Sequence, residues 1–139
     1  MKPIPLVFTI WGALCISICI YAVMSSAITY APSHGDRKSF GGIIALAAGS
    51  AAILSLFMRK MLLGGFTAVT LSLDDQSQRG RFIAGNIILF ALSEGVGVLG
   101  FFNGTLANGR GEAWLPYIGL ALLLMLLHIP LPSRFKPAA

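Results

Sequence analysis

Between Phe82 and Leu106 the sequence FIAGNIILFALSEGVGVLGFFNGTL carries one ionisable residue, Glu94, thirteenth of twenty-five. No run of this length and composition fits comfortably inside a small water-soluble domain. It is, however, long enough to cross a hydrocarbon core of about 30 Å as a helix rising about 1.5 Å per residue. On that reading Glu94 lies close to the bilayer midplane. A charge at that depth costs about 2.5–3.5 kcal/mol on insertion scales, so an acid placed there is expected to face protein and to serve an ion or proton pathway.

The rest of the chain reads as the surroundings of that helix. Of 139 residues, 56% are hydrophobic and 11% charged, against about 25% charged in an ordinary soluble domain. Four apolar segments stand out, at about 4–30, 40–58, 82–106 and 113–131, each 19 residues or longer. The pattern predicts an all-α membrane protein, a single domain of four transmembrane helices over residues 1–139. Lys2 followed by an apolar run and the small residues Ser25, Ser26 and Ala27 is also signal-like, but the run is too long for a usual signal core and is read as a retained helix.

Charge gives the expected orientation. Lys2, Arg59, Lys60, Arg79, Arg81, Arg134 and Lys136 fall on one side of a four-helix topology, with Arg37, Lys38 and Arg110 on the other. Basic residues collect on the cytoplasmic side, which puts both termini and a 59–81 loop there. Ten basic residues set at helix ends are an interfacial pattern, so nucleic acid is not an expected partner. Expected partners are membrane lipids and either further copies of the chain or other subunits of a membrane complex.

Small residues mark the expected helix contacts. Taking Asn86 as zero at 100° per residue, Ser93, Gly97, Gly100 and Gly104 fall within about 40° of it and form one stripe, with Glu94 at its edge, about 80° away. Ser93 or Asn86 of a neighbouring copy is therefore a candidate partner for Glu94. In the second segment Gly42, Ala45, Gly49 and Ala52 share a face. Such stripes let membrane helices approach closely.

Other chemistry finds little support. Cys15 and Cys19 lie one turn apart with no His or carboxylate beside them in their helix, and read as buried thiols. His34 with Asp36 and the pair Asp74–Asp75 read as solvated loops, and His128 as an interfacial residue. Trp114 and Tyr117 are expected to anchor the outer interface. No catalytic grouping, metal site or cofactor motif is evident, and an enzyme is not expected.

At ALSEGVGVLGFF, Ala91 to Phe102, the sequence resembles the ion-carrying helix of the proteolipid subunit c of rotary ATPases. The preceding GGIIALAAGSAA is similar in kind to that family's inner helix. The resemblance implies that Glu94 carries a proton or sodium ion within an oligomer. It covers the second and third segments. Around them, a loop of about twenty residues replaces the family's short polar turn, and an added helix lies on either side. More loosely the chain resembles small bacterial four-helix membrane proteins, which implies an inner-membrane location. Two alternatives stand beside ion carriage: an accessory subunit in which Glu94 bonds a neighbouring helix, and a small proton-coupled transporter.

Overall fold

The computed structural model describes residues 3–27, 38–63, 76–106 and 113–130, and these form helices with no strand among them. The helices are α1 (Pro3–Ala27), α2 (Lys38–Leu63), α3 (Gln76–Leu106) and α4 (Leu115–Leu127). Three contain a stretch long and apolar enough to cross a membrane: Pro5–Ser26, Gly41–Leu63 and Gly80–Thr105.

Each boundary has a local cause. Pro3 and Pro5 fall in the first turn of α1, where a missing N–H removes no helical bond. The second helix does not stop at Met58. It runs through Arg59 and Lys60 to Leu63, because long basic side chains can reach the interface while their backbone stays helical. The third begins at Gln76 rather than Phe82. At 31 residues it is about 46 Å long, longer than the hydrocarbon core. Residues 59–63 and 76–81 of the expected loop are thus helical, and 64–75, with Asp74 and Asp75, lie outside the described residues.

The fourth segment departs most from expectation. Its helix has 13 residues, about 20 Å, not the 19 residues from 113 to 131. Trp114 caps its start with proline in the first turn, and His128 ends it at φ −91° and ψ 5°. Pro130 explains the stop, because proline disfavours helical backbone at the residue before it.

The third helix is the hub, packing against α1, α2 and α4, whereas α1 and α2 scarcely touch. Ile18 lies against Gly97 and Tyr21 stacks at 6.0 Å on Phe101, so α1 runs parallel to α3. On α4, Ala121, Tyr117 and Trp114 lie against Gly97, Gly100 and Gly104 in turn, so α4 is antiparallel. Gly41 beside Asn103 and Leu62 beside Gly85 make α2 antiparallel too. The core combines Ile18, Phe82, Phe90, Val96, Ala121, Leu124 and Met125 with buried Ser55, Asn86, Ser93, Asn103 and His128. Outside are Ile16, Ile20 and Val23 of α1, and Leu46, Ile53 and Phe57 of α2. Polar groups inside and large apolar ones outside suit a lipid surround, where the outer face gains nothing from being polar.

Candidate functional site

Glu94 is half-buried on the side of α3 that meets α1. Ser17 and Tyr21 lie one turn apart on α1, so both point at the same place on the neighbouring helix. The Ser17 hydroxyl donates to Glu94 Oε1 at 2.7 Å and the Tyr21 hydroxyl donates to the same oxygen at 3.3 Å. The shorter bond has the length of a strong O–H···O contact and the longer one is weak. Among the described residues no side chain bonds Oε2. One carboxyl oxygen is therefore held by α1.

The other two polar residues assigned to this site point elsewhere. Asn86 is buried, and its amide donates to the Phe82 carbonyl of its own helix at 2.8 Å. Ser93 donates to the Leu89 carbonyl at 2.8 Å and meets His128 Nδ1 at 3.2 Å. One residue is a turn of about 100°, so Ser93 faces α4 where Glu94 faces α1. Within the chain, the partners of Glu94 come from α1. The sequence did hold a signal for them: Ser17 and Tyr21 are polar residues at i and i+4 in an otherwise apolar helix.

His128 is enclosed by the chain itself. It is 3% exposed, closed in at the end of α4. Nearby, Trp11 Nε1 of α1 donates to the Met125 carbonyl at 2.8 Å and ties the two helices together. At the far end of the bundle Trp114 and Tyr117 are half-buried and packed on α3. The glycines explain that docking. A Cβ on Gly97 would lie 3.4 Å from Ala121 Cβ and from Ile18 Cγ1, and one on Gly104 would lie 3.1 Å from Trp114 Cβ. On Gly100 it would lie 2.5 Å from Tyr117 Cβ. Gly42 and Gly49 differ, having nothing within 4 Å of that position. Within the chain α2 instead buries the Ile44, Ala48, Ala52 and Ser55 face.

Cys15 is half-buried and Cys19 exposed, and both are free. They line an apolar groove on the outside of α1 with Ile16, Ile20, Val23 and Met24. Among the described residues no three His, Cys, Asp or Glu side chains come together as a metal site. His34 and Asp36 lie outside the described residues. Comparison with protein-family models, curated proteins and solved structures gives no match.

Proposed function

We propose that this chain is a small multi-pass protein of a bacterial-type inner membrane in which Glu94 binds and releases a proton or a small cation. The observation that carries the reading is the pairing of a mid-helix carboxyl, half-buried, with two hydroxyls of α1 on a single oxygen. Ser17 and Tyr21 hold the side chain in position, and the second carboxyl oxygen does the exchange. An acid in the membrane interior marks ion and proton paths by default. In this reading 113–131 forms a fourth crossing that includes the short α4 and the non-helical backbone at 128–130. Both termini then lie in the cytoplasm. The same exchange would suit an ion-binding oligomer like subunit c or a small proton-coupled transporter. Because the hydroxyls belong to the same chain, each copy carries a whole site.

A second reading has one observation in its favour. A glutamine oxygen can accept from Ser17 and Tyr21 as well as a carboxylate, so the contact also serves as a structural bond between α1 and α3 in an accessory subunit. Glu94→Gln separates the two. Ion exchange predicts normal accumulation and folding, with loss of labelling by a carboxyl-selective carbodiimide and of proton- or sodium-linked activity in vesicles. Wild-type Glu94 that resists the reagent at every pH, with Glu94→Gln vesicles indistinguishable from wild type, refutes ion exchange and leaves the structural bond.

A further inference from the structure

One side of α3 has no helix over it, and Glu94 stands at its edge. Taking Glu94 as zero at about 100° per residue, Gly85 and Asn103, which meet α2, fall at about 180°, and Gly97, Gly100 and Gly104, which meet α4, at about −60° to −120°. The helix α1 covers the sector at zero itself, through Ser17 and Tyr21. Because α1 and α2 scarcely touch, the sector between them is left open. Ile87, Ala91, Phe102, Ala84 and Ile88 fall there, at about 20° to 120°, and all five are exposed.

Glu94 opens to that side. Its Oε1 is held by α1, while Oε2 is not a buried atom and is bonded by no side chain among the described residues. The residue lies near the middle of the apolar span Gly80–Thr105, so the opening is sideways, into the plane of the membrane. A chain of rings begins at the same place. The Tyr21 hydroxyl touches Oε1 at 3.3 Å, its ring lies 6.0 Å from that of Phe101, and Phe101 lies 6.1 Å from the exposed ring of Phe102.

A carboxylate so placed attracts a cation, and its surroundings select the kind. A small metal ion must shed its water, and the hydroxyls of Ser17 and Tyr21 replace little of that shell. The cost of leaving water falls as an ion grows and its charge spreads. A large organic cation also gains from ring faces and from apolar surface. We propose that the open sector of α3 between α1 and α2 binds a monovalent organic cation from the bilayer, its charge on Glu94 and its apolar body on Ile87, Ala91 and Phe102. The inference rests on the exchange reading of Glu94 and names an ion that takes the place of the proton there.

The test uses the full chain in phosphatidylcholine nanodiscs and radiolabelled tetraphenylphosphonium, with uptake measured above that of empty discs. Wild type should take up the probe saturably, and the probe should protect Glu94 from the carboxyl-selective carbodiimide. Glu94→Gln should lose the uptake. Ala91→Trp, which fills the sector one turn from Glu94, should weaken binding about tenfold or more, and Leu46→Trp, on the exposed outer face of α2, should leave it unchanged. Absence of saturable uptake, uptake undiminished in Glu94→Gln, or equal binding by the two tryptophan variants overturns the proposal. So does a second copy seated in the sector, seen as exclusion of the probe together with dimers crosslinked through Ala91→Cys in a chain with Cys15→Ala and Cys19→Ala. Wild-type protection decides the matter even if Glu94→Gln does not fold. Carbodiimide labelling of Glu94 with no uptake of the probe refutes this inference alone, whereas uptake without proton- or sodium-linked activity supports it and refutes the exchange of those ions.

Discussion

Gly100 is the position where the fold tolerates least, and Gly100→Ala measures how much the α3–α4 contact matters. The added methyl would lie 2.5 Å from Tyr117 Cβ, 3.3 Å from its Cγ and 3.4 Å from the Trp114 carbonyl. Carbon atoms settle at about 3.5–4.0 Å, so the two helices must part locally by about 1 Å. Tyr117 Cβ is fixed to the α4 backbone and no rotamer change removes it. The separation also strains the neighbouring Gly97–Ala121 and Gly104–Trp114 contacts, because α4 is short and moves as a rod. Overpacking of this kind costs about 1–3 kcal/mol. The clash falls on a carbon fixed to the backbone, which places the cost at the upper end of that range, and the intrinsic gain from replacing a helical glycine by alanine is about 0.5–1 kcal/mol, so a net loss of about 2 kcal/mol is expected. Reversible unfolding of purified protein by SDS in mixed micelles reads this directly, with Gly42→Ala as control because nothing lies within 4 Å of its added carbon. Gly97→Ala, whose methyl meets its neighbours at 3.4 Å, should fall between the two. A Gly100→Ala protein as stable as wild type, or a Gly42→Ala protein equally weakened, refutes the reasoning.

Three further outcomes follow from the same contacts. Ser17→Ala should lower stability in the SDS assay by about 0.5–1.5 kcal/mol, and Tyr21→Phe by less, because its bond to Glu94 is the longer one and its ring packing on Phe101 survives; the reverse order would show that Glu94 leans on the tyrosine. Ser93→Ala removes the hydroxyl that meets the buried His128 Nδ1 at 3.2 Å and should cost about 1–3 kcal/mol, so a neutral result would mean that His128 turns to another partner. A periplasm-specific reporter fused after Ala139 should be inactive and a cytoplasm-specific one active; the opposite pattern overturns the proposed orientation.

What the sequence reveals differs between backbone and side chains. The apolar runs around Ile18, Ile53 and Phe90 announce helices because composition alone decides that a lipid-facing backbone must bond to itself. Helix ends were harder, since Arg59 and Lys60 mark where charge can reach water and not where the backbone stops being helical. Pro130 did carry the information that shortens α4, through its effect on the residue before it. For Glu94, periodicity places the side chain on a face of α3 but leaves open which helix covers that face. Ser17 is 77 residues away, and no local pattern reports a pairing so distant. His128 shows the same limit: its partner is Ser93, which the helical period groups with the glycine stripe and with Glu94.

The hub arrangement also sets an order on assembly. As the chain emerges from the ribosome, α1 and α2 reach the bilayer with hardly any surface for each other, and the hydroxyls of Ser17, Tyr21 and Ser55 face lipid or stray backbone. Only when α3 arrives can either helix dock, and only then does α4 find the glycines it needs. A nascent chain cut off after Leu63 would therefore present two separate polar-spotted helices, the kind of substrate that membrane proteases extract.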